Sequence, residues 1–148
     1  MSGPEVHPDD PLLTACRGLA RAMDLFDEAA CRALGIGRSD LRALNLLEHG
    51  PLSPAALADA LHLSRSSVTT LLDRLVRAGY VTRSGDPDDR RGVRVSLQPA
   101  TFRAFAAIYR PLGQKVHASV QDFTIQDRGT VIRGIESMTS AFDTAGAS

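Results

Sequence analysis

Between positions 11 and 34 the apolar side chains fall at Leu12, Cys16, Leu19, Met23, Phe26 and Ala30, a spacing of three or four that lines one face of a helix. Pro11 suits the first turn of that helix and Gly35 its stop. A helix of this length with a single apolar stripe needs a partner surface to cover it. Leu41, Leu44 and Leu47 repeat the pattern over 38–49, with Gly37 as N-cap and Gly50-Pro51 as terminator. Ser53-Pro54 is a cap and first-position pair for a short helix ending near Leu61. Ser64 caps a fourth helix, with Val68, Leu71, Leu72 and Leu75 inward and Gly79 at its end.

After Gly79 the period changes to two. Residues 80–83 are strand-like, Val93, Val95 and Leu97 alternate with Arg94 and Ser96, and turn formers fill 84–91, which predicts a β-hairpin with a charged tip. Helical spacing returns after Pro99, where Phe102, Phe105, Ala106, Tyr109 and Leu112 share a side. Pro111 is expected to kink or interrupt this helix near Ala107. Thr124 and Asp127 resemble a capping box with Asp in the place of Glu or Gln, and Val131, Ile132, Ile135, Met138 and Phe142 form the inward face of the last helix. The first ten residues, polar and holding Pro4 and Pro8, read as a loose arm.

This order predicts a mainly α (α+β) chain: a winged helix-turn-helix with flanking dimerisation helices. Residues 1–148 read as a single domain, in which 37–97 form the DNA-binding part and 11–36 with 99–148 the helical dimerisation part. The second helix of a helix-turn-helix can lie in the major groove of double-stranded DNA. Its exposed face here offers Arg65, Ser66, Ser67, Thr69, Thr70, Asp73 and Arg74. Short hydroxyl side chains allow close approach to base edges, and arginine can donate two bonds to guanine. Serine and threonine lower helix propensity, and a merely solvated helix would carry more glutamate and lysine.

Formal net charge is zero, so the distribution carries the information. Residues 61–95 hold seven arginines against four aspartates, whereas 1–36 hold six acidic residues against three arginines. One part is locally basic and another locally acidic, as suits a DNA face and a separate assembly face. No apolar run is long enough to cross a bilayer, and the start lacks the layout of a secretory signal, which predicts a cytoplasmic protein without a membrane partner. Cys16 and Cys31 lie about 22 Å apart along one helix, so they cannot bond within a chain.

The stretch 57–75, from Leu57-Ala58-Asp59-Ala60-Leu61 through Asp73-Arg74-Leu75, resembles the MarR family of transcription regulators. The resemblance continues through Gly79-Tyr80-Val81-Thr82-Arg83, Asp86-Pro87-Asp88-Asp89-Arg90-Arg91 and Val93-Arg94-Val95-Ser96-Leu97. The wing motif and its distance from Asp73-Arg74-Leu75 are the most specific elements. The resemblance implies a homodimer in which the first and the last two helices interlock and each recognition helix enters a major groove. By position it implies that Arg91 at the wing tip reaches the minor groove, that Arg90 neighbours it, and that Asp89 organises the wing. The chain departs from the family at Leu97-Gln98-Pro99-Ala100-Thr101, where relatives often carry Leu-Thr and then glycine.

The expected function is therefore a sequence-specific repressor of transcription bound to a pseudo-palindromic operator, with no cofactor. Met23, Phe102 and Phe105 are candidate lining for a pocket that takes a small apolar or aromatic effector, although apolar residues at helical spacing more often form core. Two rivals stand beside this reading. One is a redox-sensing regulator using Cys16, but 13–18 lack the aromatic residues of the hydroperoxide-sensing branch of the family. The other is a winged-helix module that docks protein rather than DNA. The four histidines are scattered without metal-site spacing, and no phosphate loop, nucleophile elbow or triad points to an enzyme.

Overall fold

Asp10 opens the first helix: its carboxylate accepts the Leu13 N–H at 2.9 Å, Pro11 fills the first turn, and α1 runs Pro11–Leu34. Gly35 closes it at φ 67°, a left-handed conformation that a side chain would strain, and the Ile36 N–H returns to the Cys31 carbonyl at 3.1 Å. In the computed structural model, which describes residues 9–146, the chain forms two compact units, Met1–Ala106 and Ala107–Ser148. Most of the expected N-terminal arm lies outside the described residues.

In the first unit α2 spans Arg38–Leu47, α3 Pro54–Leu61 and α4 Arg65–Arg77. Ser53 and Ser64 cap α3 and α4 through Ala56 N–H at 3.1 Å and Ser67 N–H at 3.2 Å. Between these helices His62 takes φ 54°, one of the few left-handed roles that histidine fills, and the Leu63 N–H bonds the Ala58 carbonyl at 3.0 Å. That turn makes the helix-turn-helix. Leu41, Leu44, Leu57, Leu72 and Leu75 are fully buried with Val68, Val81, Val95 and Phe105, a single core under α2, α3, α4 and the hairpin.

The hairpin pairs β1 (Val81–Asp86) with β2 (Asp89–Leu97) antiparallel, from Val81 opposite Leu97 to Gly85 opposite Val93. The strands run further toward the tip than the alternation of side chains suggested, because the ladder continues through positions chosen for turn chemistry. A third short contact was not legible in the sequence: Leu52 exchanges both backbone bonds with Val95, at 3.1 and 2.8 Å. The unusual junction after β2 is well tied. The Tyr80 carbonyl accepts from Gln98 N–H at 2.9 Å and from the Thr101 hydroxyl at 2.7 Å, and α5 (Pro99–Ser119) begins at Pro99.

Pro111 does not interrupt α5, which is assigned as one helix across it. Proline lacks the N–H that would bond the Ala107 carbonyl, and the division between the two units falls at that residue. In the second unit α6 spans Ile125–Gly146, opened by the expected capping box: Asp127 N–H to Thr124 Oγ1 at 3.0 Å and Thr124 N–H to Asp127 Oδ2 at 3.2 Å. Arg128 donates to the Val120 and Gln121 carbonyls at 3.1 and 2.8 Å and so closes the end of α5.

The apolar face expected to point inward on α6 is open in the single chain. Among its described residues none is buried, and Ile132, Ile135 and Phe142 are exposed, as are Leu12, Leu19 and Met23 of α1. Periodicity identified both faces without identifying what covers them.

Because Leu72 is fully buried under α4, Leu72→Ala should cost about 2–5 kcal/mol of unfolding free energy, read as a lower denaturant midpoint at unchanged slope. A cost under about 1 kcal/mol would mean that α4 is not seated as described.

Candidate nucleic-acid interface

The burial of Val68, Leu71, Leu72 and Leu75 leaves one face of α4 pointing outward. Arg65, Ser66, Ser67, Thr69, Thr70 and Arg74 are all exposed on it. Its hydrogen bonds sort these side chains by what they can still offer. The Thr69 and Thr70 hydroxyls donate back to the Arg65 and Ser66 carbonyls at 2.9 and 3.1 Å, leaving lone pairs and a methyl group outward. Such groups match an amino donor or a thymine methyl on a base edge. Ser64 donates to Ser67 at 2.8 Å, so the Ser67 hydroxyl hydrogen remains available to an acceptor.

The wing owes its shape to a register shift. Gly85 pairs with Val93 but Asp86 pairs with Asp89, so Arg90, Arg91 and Gly92 bulge from β2 with no residue opposite. Aspartates hold this bulge. Asp86 accepts the Asp88 N–H at 2.9 Å and lies 3.2 Å from Arg94 Nε, and Asp89 accepts the Arg91 N–H at 2.9 Å. The Asp88 N–H and then the Arg94 side chain hold the Asp86 carboxyl below the usual carboxylate range. Asp86 and Asp89 thus each accept a backbone N–H within the wing.

The arginines divide into tied and open ones. Arg94 pairs with Asp86 and Asp88, whereas Arg83 reaches Asp73 of α4 at 2.8 Å. Arg74 pairs with Asp40 of α2. Among the described residues Arg65, Arg90 and Arg91 have no carboxylate partner and are exposed. Open cations therefore stand at the start of α4 and on the bulge of the wing, the arrangement a phosphate-lined groove attracts.

Asp40 is the main residue that sequence reasoning passed over. It lies at i and i+4 with Leu44, on the apolar face of α2, and a charge on such a face signals a paired carboxylate. The remaining candidates differ in burial. Phe105 is fully buried, while Met23 and Phe102 are exposed. Cys31 is buried and burial pushes its thiol up, which disfavours the thiolate, and Cys16 is half-buried. Among the described residues no cluster of metal-ligating side chains occurs and no helix is long and apolar enough to cross a membrane.

A two-helix reading head with a hairpin wing defines a winged helix-turn-helix protein. Residues 34–92 match the MarR family. The chain is 37% identical over 112 residues to the uncharacterized HTH-type transcriptional regulator YcgE of Bacillus subtilis strain 168, covering 75% of this chain and 73% of that one. In fold it is similar to a mutant of MepR from a multidrug-resistant S. aureus clinical isolate, with TM-score 0.74 at 17% identity over 90% of this chain and 99% of that one. It is also similar to NadR in complex with 4-hydroxyphenylacetate, with TM-score 0.64 at 21% identity over 94% and 96%. The chain belongs to the MarR family of DNA-binding transcription regulators.

Gly92 is tightly enclosed: an added Cβ would stand 2.8 Å from Asp86 Cβ and 3.3 Å from the Asp89 carbonyl. Gly92→Ala should speed amide exchange at Asp88 and Arg91 about tenfold while global stability changes by less than about 1 kcal/mol. Unchanged exchange at both amides would show that the bulge has room to spare.

Proposed function

We propose that this regulator is a homodimeric repressor that works in the cytoplasm, binds a roughly palindromic operator in double-stranded DNA, and has no catalytic role. The observation that carries the reading is the open face of α4 beside a wing whose Arg90 and Arg91 have no carboxylate partner. In this reading Arg65, Ser66, Ser67, Thr69, Thr70 and Arg74 meet the major groove and Arg90 and Arg91 the backbone and minor groove. Asp89, with Asp86, keeps the wing in shape for that contact.

The exposed apolar faces of α1 and α6 support assembly with a second copy, since they expose large side chains at helical spacing. A small apolar or aromatic molecule would release the DNA, with Met23, Phe102 and Phe105 the residues assigned to its pocket. Support comes from NadR, which is similar in fold and was crystallised in complex with 4-hydroxyphenylacetate.

Light scattering should give the mass of two chains, and replacing Ile135 and Phe142 together with Asp should give a soluble single chain that loses tight operator binding. A double variant that remains dimeric would place the interface elsewhere.

Selection from random DNA should return two half-sites centred about 10 base pairs apart. On that operator Arg91→Ala should weaken binding to all sequences and flatten the salt dependence by about one unit per subunit. Thr70→Ala should cost on the order of 1 kcal/mol at one base-pair position and leave non-specific binding nearly intact. Isotherms on operator and scrambled DNA across a salt series separate the two. If Arg91→Ala leaves affinity and salt dependence untouched, the wing is only a solvated loop.

A further inference from the structure

Asp40 is 4% exposed and sits in the otherwise apolar inner face of α2. A carboxylate in such a place is costly unless its oxygens are filled, and here they are. Oδ2 accepts the Gly37 N–H at 3.2 Å and the Arg74 Nε–H at 3.3 Å, and Oδ1 accepts from Arg74 Nη2. Arg74 belongs to α4, so this pair joins the start of α2 to the outward-facing helix, across 34 positions of the chain.

The geometry decides which part of the guanidinium is left over. A guanidinium has five N–H donors, and Asp40 takes the edge formed by Nε and Nη2. Both Nη1 hydrogens and the second Nη2 hydrogen remain, and together they form the end-on fork. The Arg74 side chain is 54% exposed even though its partner is buried, so that fork is open to an incoming molecule. An arginine so held loses little further rotational freedom when it binds, which is the condition for a directional rather than a merely electrostatic contact.

We propose that Asp40 is a positioning residue for DNA recognition, holding the Arg74 end-on fork on the open face of α4 so that it meets a pair of acceptors on the operator. This rests on the DNA-binding reading given above. Two acceptor pairs share the required chemistry: O6 and N7 of a guanine, and two oxygens of one phosphate. Asp40 touches no DNA and acts only through Arg74. Arg65, Arg90 and Arg91, whose guanidinium groups pair with no carboxylate among the described residues, supply charge without a fixed direction.

The test measures operator and scrambled-DNA affinity across a salt series for Asp40→Asn, Arg74→Gln, the double variant, and Arg74→Lys. Asp40→Asn should lower the operator-to-scrambled ratio about tenfold with the salt slope kept, because the arginine charge remains. Arg74→Gln should lower operator affinity at least as much and flatten the slope by about one unit per subunit. The double variant should be no worse than Arg74→Gln, as expected if Asp40 works through that side chain alone. Independent, additive losses would place the role of Asp40 in its bond to Gly37 and overturn the proposal.

If thermal melting shows Asp40→Asn unfolded, Arg74→Lys decides, since lysine keeps the charge and has no fork. Its expected result is the same tenfold loss at unchanged slope, and wild-type affinity would overturn the proposal. Replacing each operator guanine by 7-deazaguanine then separates the two acceptor sources. A position that matters to the wild type and not to Asp40→Asn identifies a guanine, and the lack of any such position identifies phosphate. A wild-type protein that binds no DNA sinks the parent reading and this one with it, whereas normal binding by Asp40→Asn and Arg74→Lys sinks this one alone.

Discussion

The outer face of α4 depends on its inner one. Val68, Leu71, Leu72 and Leu75 are almost completely removed from water, and their burial sets the rotation of the helix about its own axis. Turning α4 by the angle of a single residue would bring Thr69 and Asp73 into the core and Leu71 and Leu75 into solvent. Two ion pairs restrain the same element at its edges, Arg74 to Asp40 of α2 and Asp73 to Arg83 of β1. The apolar contacts carry the stability, while the half-exposed Asp73–Arg83 pair contributes direction more than energy.

Much of this arrangement could be read from residue spacing, because the relevant signals are local. Proline and glycine at helix ends, serine one step before a helix, and apolar side chains at intervals of three and four each act within a turn of backbone. For that reason α1, α3 and the starts of α4 and α5 fell where Pro11, Ser53, Ser64 and Pro99 placed them. What escaped was whatever joins distant parts of the chain. The backbone pairing of Leu52 with Val95, the choice of Asp73 by Arg83, and the burial of Asp40 against Arg74 are all long-range. Charge counts along the chain cannot show which arginines are already spoken for.

The faces of α1 and α6 mark another boundary of sequence reading. An apolar stripe states that a helix has something to cover, and stops there. In the single chain the large side chains Leu12, Leu19, Met23, Ile132, Ile135 and Phe142 of those stripes remain open, so the pattern names a face and is silent about a neighbour. The same holds for Met23, Phe102 and Phe105, where one shared character resolved into two surface residues and one core residue.

The wing combines an anchored root with an unanchored end. Its root is bonded on one side to Leu52 and on the other to the start of α5 through Tyr80. Beyond Gly85 and Val93 the ladder gives way to a bulge held only by its own aspartates. Insertions or deletions at the Pro87-Asp88 turn would therefore alter reach without disturbing the packed interior, by about 3.3 Å for each residue added to both strands. A lineage built on this scaffold has a length it can vary freely, and with it the groove a given descendant can span.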